Sequence, residues 1–307
     1  MHNKPLAYCA FLVILITASF LVACSGGGSS ENHTDARRTT VTEVRVPEAS
    51  GSVTYGGGSV SIDASNTSEG YVMVKYSGSA DRTKLQITVP DGDVYSYTLH
   101  GGDYSVFPLS GGNGGYKLDV LEHAYGDMYA LVFSQSISVT LDDEFGPFLY
   151  PNQYVMFTAD SEAVKYGREL SDNSSNDLDY VEQVYNYVID NISYDEEAAA
   201  NVSVDYLPDM DRTMETEKGI CFDYASLMSG MLRSQGIPTK LVVGYSGTAY
   251  HAWISVYLKE VGWVDNIIEF DGKNWSLMDP TLAADNDSSS VSEYIGDGSN
   301  YTAKYWY

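Results

Sequence analysis

Three kinds of residue are in short supply in this chain. It has 17 Lys and Arg against 42 Asp and Glu, a formal charge of −25. That balance excludes nucleic acid and anionic lipid headgroups as expected partners, because both demand clustered cations. Acid spread along the whole chain reads instead as a solubilising surface. Histidine occurs five times, and His251 is the one in the second half. Cysteine occurs three times, at Cys9, Cys24 and Cys221. The few cysteines argue against a disulfide framework.

What is present at the N-terminus fixes an expected address. "MHNKPLAYCAFLVILITASFLVAC" has a short basic start with Lys4, an apolar run from Leu6 to Ala23, and the ending "LVAC". A short apolar run that stops at small residues is a cleaved signal over residues 1–23 and not a membrane span. The tetrapeptide resembles the bacterial lipobox, in which the cysteine is lipidated and becomes the first mature residue. The expectation is a lipid on Cys24, a flexible polar tether over residues 24–40 ("SGGGSSENHTDARRTT"), and attachment to the extracytoplasmic face of a cell membrane. Cys221 is then the one thiol left, and a lone thiol in an oxidising compartment is either buried or used.

The remainder is long enough for two domains. Over residues 41–142, short alternating segments such as "YVMVKY" (71–76), "KLQITV" (84–89) and "VYSYTLH" (94–100) are separated by turns such as "PDGD" and "SGGNGG". This spacing suggests an all-β sandwich, immunoglobulin-like in broad architecture. In "ALVFSQSISVTL" the alternation puts Leu131, Phe133, Ile137, Val139 and Leu141 on one face. The abundant tyrosines of this part are expected to fill the sheets, and His100 and His123 read as ordinary surface or turn residues. "DEFGPFLYPNQYV" (143–155) reads as a linker that packs against one of the two domains.

Residues 143–307 change texture. Leu178, Val181, Tyr185, Val188 and Ile192 recur at steps of three and four, with Asn176 as N-cap. Cys221, Ala225, Met228 and Leu232 recur the same way. Gly236 and Pro238 close that helix, with Ile237 as its apolar C-terminal contact. Cys221 therefore falls in the first turn of a helix, just after Gly219, which allows a tight approach. Partial positive charge and unpaired N–H groups gather there, and both favour a thiolate. The same N–H groups can receive an oxyanion.

A thiol nucleophile needs a base, and His251 is the candidate. "TKLVVGY" (239–245) and "HAWISVYL" (251–258) read as a hairpin that starts one strand with the histidine. A base needs an orienting acceptor. "NWSLMDPTL" offers Asp279 at the end of a third strand. Asp265 and Asp271 compete, although "GWVDN" and "FDGKN" read as turns.

"KGICFDYASLMSGMLRSQGIPTKLVVGY", "YHAWISVYL", "GWVD" and "WSLMDPT", in that order, resemble the transglutaminase-like superfamily over roughly residues 150–285. The resemblance implies an α+β, papain-like core. It makes Cys221 the nucleophile, His251 the general base and acid, and Asp279 the orienter. It also offers Tyr194, in "ISYD", as an oxyanion donor. The implied activity is acyl transfer or hydrolysis at amide bonds of proteins or peptides. Two alternatives stand beside it: a cysteine peptidase or amidase acting on cell-surface peptides, and a surface binding or scaffold protein with an inert core. No cofactor is expected. The three residues lack the close pairs of a structural zinc site, and "DNDSSS" lacks the ligand spacing of a calcium loop. The sequence sets no oligomeric state.

Overall fold

The computed structural model describes residues 37–265, 268–270, 275–277, 281, 284 and 299–307. The first part is a pair of four-stranded antiparallel sheets. One runs β1 (Thr54–Gly57), β2 (Val60–Asp63), β3 (Tyr71–Tyr76) and β6 (Ser105–Pro108). The other runs β5 (Val94–Leu99), β4 (Thr83–Thr88), β7 (Gly114–Tyr125) and β8 (Met128–Val139). Strict alternation buries Leu85 and Ile87 of β4 and Tyr95, Tyr97 and Leu99 of β5, facing Ile62, Val72, Val74 and Tyr76. Tyrosine thus fills the sheets as expected. His123 has polar neighbours: its Nδ1 lies 3.1 Å from Asp81, and Arg82 lies 2.6 Å from its Nε2.

Strand β8 departs from the expected face at one position. Phe133 pairs with Val120 but Leu131 pairs with Leu121, so Val132 is an extra residue. Such a bulge reverses the alternation beyond it. Leu131 is consequently 57% exposed and not on the inner face.

The second part places helices over an antiparallel sheet. In chain order come α1 (Glu162–Asn173), α2 (Asp177–Asn191), β9 (Ser193–Tyr194), α3 (Glu196–Asn201), α4 (Met210–Thr216), β10 (Lys218–Gly219) and α5 (Cys221–Ser234). They are followed by β11 (Thr239–Ser246), β12 (Ala249–Leu258), β13 (Gly262–Asp265), β14 (Ile268–Phe270), β15 (Trp275–Leu277) and β16 (Tyr301–Trp306). The main sheet has the order β13-β12-β11-β16, and β14 pairs with β15. Helix α2 is capped as its sequence demands, with Asn176 accepting from Asp179 N–H at 3.0 Å. Helix α5 is not a stripe. It is buried on every side from Asp223 to Ser234, because α1, α2 and α4 enclose one flank and β11 and β12 the other. It ends with Gly236 at φ +79° and a bond from Ile237 N–H to Leu232 carbonyl of 3.0 Å.

The linker packs against both parts, not one. Tyr150 meets Tyr71 at 4.8 Å, while Phe145 meets Tyr257 at 4.3 Å and Phe148 meets Trp263 at 5.5 Å. Tyr154 stacks on Tyr97 at 5.7 Å and touches Tyr307 at 4.7 Å. One continuous core therefore runs through sandwich, linker and helical part. Arg233, 2% exposed, clamps this junction by donating to the carbonyls of Thr239 (2.8 Å), Tyr150 (3.0 Å) and Tyr307 (2.5 Å).

Arg38, at the end of the segment expected to be a flexible tether, is docked onto the helices. It donates to Asp177 at 2.7 Å and Ser171 at 2.5 Å and to the Gln235 carbonyl, and it lies 4.7 Å over the Tyr180 ring. No helix among the described residues is long and apolar enough to cross a membrane.

Candidate active site

Cys221 is the first residue of α5, with Ile220 as N-cap. Isoleucine has no side-chain acceptor, so Asp223, the third helical residue, supplies the cap. Its Oδ2 accepts the Ile220 N–H at 2.9 Å. Gly219 makes the room for this, since a Cβ there would stand 2.7 Å from Asp223 Cβ. The other carboxylate oxygen accepts from Tyr206 Oη at 2.6 Å, and Tyr206 Oη accepts from Arg212 at 2.6 Å. Asp223 is 3% exposed. Desolvation raises its pKa above the ordinary carboxylate value, and the bonds from Tyr206 and Ile220 and the charge of Arg212 oppose that rise.

The capped turn aims the start of the helix at the cleft. N–H groups of the first turn have no acceptor inside a helix, and the aligned peptide dipoles put partial positive charge beside the sulfur. Both are suited to a thiolate and to a developing oxyanion.

His251 sits near the start of β12, directly opposite Gly244 of β11. A Cβ on Gly244 would fall 2.1 Å from the Thr302 carbonyl oxygen and 2.9 Å from the Trp253 ring. Glycine is needed there for β16 to lie against β11 beside the histidine. The imidazole is flanked by the rings of Trp253 and Tyr301, each with its centroid 6.2 Å away.

Tyr194 is brought in by a short parallel pair, in which it lies opposite Gly219. Ser193 N–H bonds to Glu217 carbonyl and Asp195 N–H to Gly219 carbonyl, both at 2.9 Å. Tyr224 of α5 holds the preceding turn by donating to Ile192 carbonyl at 2.6 Å.

Cys221, His251 and Tyr194 line one cleft of about 560 Å³. Tyr154, Tyr206 and Tyr250 share its walls, and Ser96 of the sandwich strand β5 also reaches it. Burial raises the phenol pKa of Tyr154, Tyr206 and Tyr250, so these walls stay neutral in the physiological range. Among the described residues, none that lines the cleft is Asp, Glu, Lys or Arg.

Asp279 and its competitor Asp271 lie outside the described residues. The strand expected ahead of Asp279 is present as β15. Asp265 is not in a turn. It ends β13, paired with Ser255, and its Oδ1 accepts from Ser255 Oγ at 2.8 Å. Among the described residues, no group of three or more His, Cys, Asp or Glu is placed to hold a metal ion. Asp223 and Tyr206 escape a reading based on the catalytic motif. An acid at the third helical position is itself a capping signal, whereas nothing near Tyr206 in the sequence points to α5.

The sequence profile of the Transglutaminase-like superfamily matches residues 164–266. Over this stretch the chain is similar to the transglutaminase-like core. The match holds Cys221 and His251 and ends ahead of Asp279. The uncharacterized protein YebA of Bacillus subtilis (strain 168) is 31% identical over 120 residues, covering 31% of this chain and 16% of that protein. The chain thus spans under a fifth of that relative. Among solved structures, a proposed cysteine protease from Cytophaga hutchinsonii is 21% identical at a TM-score of 0.32, covering 46% of this chain and 43% of its own. Red sea bream transglutaminase is 14% identical at a TM-score of 0.30, covering 71% of this chain and 48% of its own.

Proposed function

We propose that this protein is a lipid-anchored thiol enzyme that acts on amide bonds of proteins or peptides. One observation carries the reading: a cysteine at a capped helix start and a histidine at a strand start line the same cleft. Sγ of Cys221, as thiolate, attacks the amide carbonyl carbon. The C–N bond then breaks, and the amine leaves with a proton from the His251 imidazolium. A second amine or water attacks the thioester, His251 takes its proton, and the thiolate is released. An amine acceptor gives a crosslink and water gives hydrolysis, with the same residues serving both. Asp279 is proposed to hold the His251 tautomer and Tyr194 to donate to the oxyanion. The lipid on Cys24 would keep the enzyme on the extracytoplasmic face, where surface proteins and peptides are the substrates within reach.

The decisive experiment is the rate of Cys221 alkylation by iodoacetamide at neutral pH, in the parent and in His251→Ala. An activated thiolate reacts much faster than a free cysteine and slows when the histidine is removed. A slow rate that the histidine variant leaves unaltered supports the inert-core reading instead.

A further inference from the structure

The cleft has a wall that the reaction itself does not require. The segment from Val202 to Tyr206 is the first part of the connection from α3 to α4 and lines the cleft together with Cys221. It is pinned at one end: Asp205 accepts from Thr98 of β5 at 2.8 Å, and Tyr206 donates to Asp223 of α5 at 2.6 Å. Ahead of the pins the segment reads Val202-Ser203-Val204, and its two valines are exposed. Val202 is 47% exposed and Val204 97% exposed, and Tyr250 at the start of β12 is 62% exposed. All three line the cleft.

A single exposed valine is ordinary on any surface. Three exposed apolar side chains around one nucleophile, two of them on a pinned segment, are a different matter. Folding gains little from Val204, since nearly all of its surface is in water. The gain is available only to something that enters the cleft and covers it. Apart from the catalytic pair, the described lining holds no Asp, Glu, Lys or Arg, so a charged group resting against the valines would lose hydration without a charged partner among the described residues there.

We infer that the Val202–Tyr206 segment is a specificity wall, selecting amides that stand next to an uncharged apolar or aromatic side chain. This rests on Cys221 being the nucleophile of the cleft. Val202 and Val204 supply the contact surface, Tyr250 the opposite side, and the Tyr206–Asp223 bond fixes the wall relative to the sulfur.

The test compares two neutral alkylating agents, iodoacetamide and N-benzyl iodoacetamide, on the full chain. Their rate ratio cancels any change in the thiolate population and reports only the benzyl group. The parent should favour the benzyl reagent on the order of 10-fold, the effect of partly burying one phenyl ring. Val202→Ser combined with Val204→Ser should bring the ratio down to about 2-fold or less. Val204 is almost wholly exposed and Val202 about half exposed, so the thermal midpoint should stay within about 2 °C of the parent. A ratio near one in the parent, or one that survives the double substitution, overturns the inference. Uniformly slow alkylation by both reagents with the ratio intact would instead overturn the nucleophile assignment, and with it the wall's role in selecting amides, while leaving an apolar contact surface beside the cysteine.

Discussion

Removing one oxygen, in Tyr206→Phe, tests how the helix that begins at Cys221 is held. The phenol donates to Asp223 at 2.6 Å and accepts from Arg212 at 2.6 Å. Phenylalanine keeps the ring but leaves one oxygen of a buried carboxylate without this donor. A hydrogen bond to a charged group contributes about 1.5–3 kcal/mol. At about 2–4 °C per kcal/mol for a chain of this size, the thermal midpoint at pH 7.5 should fall by roughly 3–12 °C. The sign with pH is fixed as well. Desolvation already raises the Asp223 pKa, and the Tyr206 bond counteracts it. Losing that bond raises the folded-state pKa further above the unfolded value. The variant's penalty therefore exists while Asp223 is ionised and shrinks as pH falls through the folded pKa. Calorimetry of parent and variant between pH 8 and pH 4 measures the gap directly. A gap that is absent, or that stays constant or widens toward acid pH, refutes the assignment of Asp223 as an ionised cap stabilised by Tyr206.

Other outcomes follow from the same structure. Asp279→Asn should lower kcat/KM on the order of 10²–10³-fold, whereas Asp265→Asn, which disturbs one bond at an exposed strand end, should change it less than about 3-fold; the reverse order would move the orienting role to Asp265. Cys24→Ala should release the protein from the membrane fraction, and a variant that still sediments after a high-salt wash would show that lipid on this cysteine is not the anchor. Arg38→Ala removes three hydrogen bonds and a stacking contact on Tyr180 and should lower stability by about 2–4 kcal/mol in denaturant titration; an unchanged midpoint would mean that the docked segment contributes nothing. Expression of residues 143–307 alone should give an aggregating product, because Tyr154 and Tyr307 lose Tyr97, and a soluble fragment with a cooperative transition would refute the shared core.

Features governed by neighbours a few residues away were legible in the sequence. The cap at Asn176, the closure of α5 at Gly236 and the hairpin carrying His251 all rest on local periodicity and turn chemistry. Features set by a partner strand or a distant side chain were not. The bulge at Val132 depends on how β8 registers against β7, so alternation alone misplaced Leu131. The polar segment before residue 40 carries no packing signal, yet Arg38 finds its partners more than 130 residues away. Asp265 was read from its turn-like neighbours, but its place is decided by Ser255 across the ladder. At the site, cysteine and histidine announced themselves by rarity. Tyr206 is one of 26 tyrosines, and its link to Asp223 exists only in three dimensions.

The bond from Thr98 to Asp205, together with Ser96 on the cleft wall, has a consequence for how such chains can be recombined. A β-sandwich ahead of a catalytic core invites treatment as an exchangeable cassette, replaced by cutting at the linker. Here the cassette carries part of the cleft wall through Ser96 and a tie to the segment proposed as the specificity wall. A chimera fused at the linker would mismatch at Thr98 and Asp205 and inherit a different cleft along with its new sandwich. Exchange that preserves reactivity has to transfer β5 and the segment between α3 and α4 as a unit, although they lie about a hundred residues apart in the chain.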